Sequence, residues 1–207
     1  MMESNDAQFM RPHGEDGLKM IKEMNQGHED ISNFAMECID TSVDDDVLDI
    51  GCGGGVNIEK FLRRCPDGNV WGLDYSVVSV SESIKRNQEA VDMGRCQVIE
   101  ANVCNMPIDD DTFDIVSAFS SIYFWPDFKN TLKKVFKIIK TNGQFMIACG
   151  SDGNDPNDED WVPSRRRFGV PFGRQHMGEL LFARCRLGRF GRGVHEKSVG
   201  YRRIYSA

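Results

Sequence analysis

VLDIGCGGG, residues 47–55, is the stretch on which the reading of this chain turns. Three apolar residues flank one carboxylate, Asp49, and the next five residues include four glycines. Glycine loses more backbone entropy on folding than any other residue, so such a run needs a reason. A glycine turn between a buried strand and a helix lets a ligand approach the main chain and leaves the helix N-terminus facing it. Two spacings compete. The dinucleotide fingerprint G-x-G-x-x-G/A fits at Gly51 and Gly53 but fails at Val56, where a small residue is required for helix–strand packing. The spacing present is D-x-G-x-G-x-G, on Asp49, Gly51, Gly53 and Gly55.

Outward from this stretch, strand and helix signals alternate. Apolar residues at Ile31, Phe34, Ala35, Cys38 and Ile39 predict a helix over 28–40. Ile58, Phe61, Leu62 and Cys65 predict another, closed by Pro66–Gly68. NVWGLD (69–74) reads as a second strand. Ser76 is a candidate cap for a helix running to about Val91 with Val77, Val80 and Ile84 inward. CQVIEA (96–101) and FDIVSAF (113–119) read as the third and fourth strands. Phe128, Leu132, Val135, Phe136 and Ile139 mark a helix, Gly143 its C-cap region, and QFMIAC (144–149) a fifth strand. The alternation predicts an α/β fold, a Rossmann-like, doubly wound, mainly parallel sheet with helices on both faces. Its ligand site is expected beyond the carboxyl ends of the strands.

In this order the chain resembles the class I S-adenosylmethionine-dependent methyltransferases, in the small-molecule branch similar to methyltransferase type 11. The resemblance rests on D-x-G-x-G-x-G, on Asp74 in GLDYS 25 residues after Asp49, on EANVCNMPI (100–108) and on SSIYFWP (120–126), and covers about residues 25–150. It implies S-adenosylmethionine as cofactor. Asp49 would hold the loop or the cofactor's amino group, and Gly51, Cys52 and Gly53 would lie along its methionine portion. Asp74 would accept both ribose hydroxyls, which requires an ionised, acceptor-only group. Tyr75 would pack on the adenine, Asn102 would accept from its amino group and Val103 would lend it a backbone N–H. Phe119 ends the strand that flanks the sulfonium. No catalytic triad is visible; His28 and Tyr123 are the candidates for a base, and no metal site is expected. Taken singly, Asp49 reads as a turn carboxylate, Asp74 as a helix cap and Tyr123, Phe124 and Trp125 as core. Joint order at successive strand ends favours the cofactor reading.

Bulk properties bound the partners. The 207 residues carry a formal net charge of -7, which disfavours general nucleic-acid binding. No apolar run approaches the roughly 20 residues that span a bilayer, and no secretory leader is read at the N-terminus. Seven cysteines without a CxxC pair suit reduced thiols and a cytoplasmic location. A small-molecule methyl acceptor is the expected partner.

The average charge conceals a break. Residues 1–160 hold 14 Lys+Arg against 30 Asp+Glu, whereas 161–207 hold 11 against 2, ten of the eleven being Arg. The expected organisation is an N-terminal arm or cap (1–27), a cofactor-binding domain (28–150), an acidic linker (151–162) and an atypical Arg/Gly-rich tail (163–207). The tail shows no clean period, so the sheet is expected to lack a normal final β-hairpin. It is read as a disordered arm, as an RNA- or phosphate-binding arm, or, the reading favoured here, as a frameshift product. Allowed codons for Arg165–Met177, read one base on, give VDGLEFHSADSIW, similar to the family's segment before its late helix. On that last reading the protein would be a damaged cofactor-binding remnant; a dinucleotide enzyme of related topology is the remaining alternative.

Overall fold

The computed structural model describes residues 5–149, 179–190 and 194–205. Two helices, α1 (Asn5–Met10) and α2 (Gly14–Gly27), precede α3 (Glu29–Cys38). Then come β1 (Val47–Ile50), α4 (Val56–Arg64), β2 (Val70–Asp74), α5 (Val77–Arg86), α6 (Gln88–Asp92) and β3 (Cys96–Glu100). A 3-10 turn at Val103–Asn105 leads to β4 (Phe113–Phe119), and a second at Ile122–Phe124 to α7 (Phe128–Ile138), β5 (Ile139–Cys149), β6 (Glu179–Phe190) and β7 (Val194–Tyr205).

The sheet order is β3-β2-β1-β4-β5-β6-β7. Strands β1 to β5 are parallel, and β6 and β7 run antiparallel to their neighbours. All four residues of β1 are buried, as expected of a strand covered on both faces. Alternation along the strands divides the core in two. Leu48, Ile50, Val116, Ala118, Phe145 and Ile147 face α7 and Trp125 on one side. Val47, Val70, Ile115, Met146 and Ala148 face Ala35, Ile58 and Phe61 on the other. The chain winds outward through β1, β2 and β3 and returns at β4, so strand order reverses between β1 and β4. The glycine turn leaves β1 at this switch point, where open sheets leave a crevice.

Four expectations need correction or completion. Strand β5 begins at Ile139, with no helix cap at Gly143; its pairing with β4 shifts register between Phe113 and Ile115, and Asn142 takes a positive φ of 70°. The bulge absorbs the turn-like Asn-Gly pair inside the strand. The single helix to Val91 is instead α5 and α6, broken at Asn87. Helices α1 and α2 are additions to the expected elements; the buried face of α2 is only Gly17, Met20 and Ile21, too narrow for period alone to reveal it. In the tail, β6 and β7 form an antiparallel hairpin registered from Glu179↔Tyr205 to Phe190↔Val194, and β6 pairs with β5. Strand pairing is a main-chain interaction that Arg-rich spelling hides, and it covers the otherwise open edge of β5. The acidic linker 151–162 lies outside the described residues.

Candidate active site

The ends of β2, β1 and β4 lie side by side at the switch point, and β1 supplies the first residue. Asp49 is 1 % exposed. Its Oδ1 accepts from the Ser117 hydroxyl of β4 at 2.8 Å. Its Oδ2 is buried without a hydrogen-bond partner among the described residues. An unpaired buried carboxylate oxygen is costly, and burial pushes the Asp49 carboxyl up to about 7, opposed by the Ser117 hydrogen bond and reinforced by the Asp74 charge.

Asp74, closing β2, is the residue that holds the loop. Its Oδ2 accepts from Gly53 N at 3.0 Å and its Oδ1 from Ser76 N at 2.9 Å. Ser76 in turn caps α5, accepting from Ser79 N at 3.2 Å. Burial raises the Asp74 pKa while these backbone donors hold it down. The carboxylate thus ties the glycine turn to the start of α5, one of the two tasks, holding the loop or the cofactor's amino group, that the resemblance implied for Asp49. The loop is also fixed by Leu73 O, which accepts from Gly51 N at 2.7 Å and from Cys52 N at 3.2 Å.

Three of the four glycines are explained by neighbours. A Cβ on Gly51 would lie 2.4 Å from the Ser121 Cβ, and one on Gly54 would lie 2.7 Å from Ile21 and 2.6 Å from Asn25 of α2. Gly55 has φ +76° and faces Ser83 and Asn87. Gly53 differs: φ is +51°, yet a Cβ there would meet nothing within 4 Å. The open side of the turn is therefore at Gly53, beside Asp74.

Behind the loop, α5 presents a small polar stripe. Ser79, Ser83 and Asn87 are buried, whereas Val77 is 58 % exposed, contrary to the expectation that it points inward, and Val80 and Ile84 are only half-buried. The reason is steric, because the glycine turn approaches this helix too closely for branched side chains. Asn87 Nδ2 donates to Gly55 O at 3.1 Å, and Arg86 Nε donates to Gly54 O at 3.0 Å. Period-based reading missed these supports and Ser117; the repeated Ser at i, i+4 was the available signal.

The other candidates are distributed around this centre. Cys52 is buried as a neutral thiol, its pKa raised by burial and by the two carboxylates. Half-buried Tyr75 donates from its hydroxyl to Met10 O, and the Arg11 guanidinium lies 5.5 Å from its ring centroid. Residues 10–12 thus rest on the end of β2. The exposed Asn102 uses its side-chain oxygen to accept from Cys104 N at 2.9 Å, and Val103 beside it is buried. Phe119 is buried at the end of β4. Tyr123 packs against the α7-side core, and Trp125 stacks on Phe145 at 6.3 Å as a core residue. His28 sits at the α2–α3 junction, where burial lowers its pKa. Among the described residues no cluster of His, Cys, Asp or Glu could hold a metal ion, and no helix is long and apolar enough to cross a membrane.

Residues 48–147 match the family model described as a methyltransferase domain. Demethylmenaquinone methyltransferase of Listeria welshimeri is 30% identical over 116 residues, which are 56% of this chain and 48% of the relative. The chain spans about half the length of the curated relatives it matches. Among solved structures, a chain of the complex between the Haloferax volcanii Trm112 methyltransferase activator and its methyltransferase superposes with a TM-score of 0.61 at 23% identity, covering 70% of this chain and 62% of that one. Geranyl diphosphate C-methyltransferase from Streptomyces coelicolor superposes with a TM-score of 0.54 at 20% identity, covering 66% and 51%. Sequence order, sheet topology and family match converge: residues 48–147 form a methyltransferase domain of the class I S-adenosylmethionine-dependent type.

Proposed function

We propose that this chain transfers a methyl group from S-adenosylmethionine to a small-molecule acceptor. The observation that carries this reading is the pair of buried carboxylates, Asp49 and Asp74, beside Gly53, the one glycine of the turn whose side is open. The residues fit the cofactor. Among the described residues Asp49 Oδ2 has no donor, and an ammonium group would supply one. Asp74 keeps lone pairs for hydroxyl donors beyond the two backbone N–H groups it already accepts. Asn102, Val103 and Tyr75 would border the adenine, with Gly51, Cys52, Gly53 and Phe119 nearer the methionine end. The sulfonium supplies an activated methyl group, so the protein needs to contribute alignment, proximity and exclusion of water. A proton leaving an acceptor oxygen or nitrogen would require a base, for which His28 and Tyr123 are the candidates.

A small acceptor is supported by the relatives, which include enzymes named for demethylmenaquinone and geranyl diphosphate. Calorimetry with S-adenosylmethionine tests the reading. Binding is expected in the wild type, with a clear loss in Asp74→Ala; unchanged affinity in that variant removes Asp74 from the site.

A second reading is a cofactor-binding remnant altered by a frameshift. The observation favouring it is the charge inversion and the switch from Lys to Arg after residue 160. The nucleotide sequence decides it: early stops in the shifted frame end the idea.

A further inference from the structure

Asp49 presents a problem that the loop geometry leaves unsolved. It is buried under the switch point with one oxygen satisfied by Ser117 and the other facing no donor among the described residues. A second carboxylate, Asp74, lies in the same site and is itself held by two backbone N–H groups. The groups acting on Asp49 are few. From β4 comes the Ser117 hydroxyl, from the end of β2 the Asp74 carboxylate, and from the loop the Cys52 thiol, which stays neutral. Among the described residues no Lys, Arg or His forms an ion pair with Asp49. Two carboxylates without a counter-cation do not both remain ionised in a dry site.

We propose that the ligand-free protein keeps a proton on Asp49, and that binding a cofactor bearing a positive amino group expels it. This rests on the cofactor reading above and adds its linkage to pH. In the free state the proton on Asp49 relieves repulsion from Asp74. When an ammonium group arrives at the unpaired oxygen, the ionised carboxylate becomes the stable form, and one proton leaves to solvent. Binding is then stronger where Asp49 is already ionised. The direction agrees with the burial-driven upward displacement of this carboxyl to about 7.

S-adenosylhomocysteine is the probe, since it carries the same amino group and no reactive methyl. Its binding heat is measured near pH 6, 7 and 8 in phosphate and in Tris-type buffers, which differ in ionisation enthalpy. The buffer dependence is expected to report release of about 0.9 proton at pH 6 and about 0.1 at pH 8, with affinity about tenfold weaker at pH 6. Asp49→Asn is expected to abolish both the release and the pH dependence. Because that variant can fail to fold, Ser117→Ala provides a second arm: loss of the donor moves the midpoint of the pH dependence upward. His28 remains in both variants, so a pH dependence that survives Asp49→Asn belongs to another group and overturns the proposal. Wild-type binding without proton release at pH 6 overturns the proposal alone. No binding at any pH overturns the cofactor reading with it.

Discussion

Gly53 and Gly55 are two residues apart in one turn, both with positive φ, and replacing each by Ala should damage different properties. At Gly55 the new Cβ would lie 2.5 Å from Ser83 Oγ, 2.6 Å from Asn87 Nδ2 and 2.9 Å from the Ser83 Cα. Left-handed backbone costs an L-residue about 1–2 kcal/mol, and overpacking a filled site costs about 1–3 kcal/mol more. Ser83 belongs to a helix that cannot withdraw without breaking the Asn87–Gly55 hydrogen bond, so we expect a total near 3 kcal/mol. For a chain of this size that lowers Tm by about 6–12 °C. At Gly53, with φ +51° and nothing within 4 Å, only the backbone term applies, lowering Tm by about 2–8 °C. There the methyl occupies the open side of the turn, and affinity for S-adenosylhomocysteine should fall about tenfold or more, which is about 1.4 kcal/mol. Thermal denaturation and calorimetry on both variants separate the two effects. Equal destabilisation of the two, or wild-type affinity in Gly53→Ala, would refute the assignment of the open face.

Other perturbations test the frame of the site. Because burial holds the folded-state pKa of Asp49 at about 7, well above the ordinary aspartate value of 3.8, the folded protein holds a proton that the unfolded chain has lost. The sign therefore makes ligand-free stability fall as pH rises from about 4 to about 7 and then level off; urea titrations across this window should lose that slope in Asp49→Asn. Truncating Trp125 to Ala removes a core ring stacked on Phe145 and should cost about 3–5 kcal/mol, read by denaturant midpoint. Lys140→Met leaves Asp46 and Asp114, which both bind its ammonium group at 2.9 and 2.8 Å, without their shared cation. Since all three side chains are about one-third exposed, the loss should stay near 1 kcal/mol and shrink further in high salt.

Much of the site frame was legible because its signals are local. The strand VLDI, the turn, and the helix with Ile58 and Phe61 on one face follow from period and from glycine placement. The cap at Ser76 was legible for the same reason, since capping involves residues three apart. The inward face of α5 was misjudged because hydrophobic pattern ranks Val above Ser, while the close approach of Gly55 rewards the smaller side chain. The start of β5 was misjudged because Asn142–Gly143 signals a turn wherever it occurs, and only pairing with β4 shows that it is absorbed as a bulge.

By itself the sequence determined the alternation of strands and helices, the family resemblance and the two carboxylates that define the candidate site. Tertiary structure alone decided what each of those groups does. It made Asp74 rather than Asp49 the strap on the loop, left one oxygen of Asp49 without a donor among the described residues, and gave Gly54 its purpose as the seat of α2. The physical reason is distance along the chain. Asp49 meets Ser117 68 residues away, and no local pattern encodes a contact that exists only when β1 and β4 lie side by side.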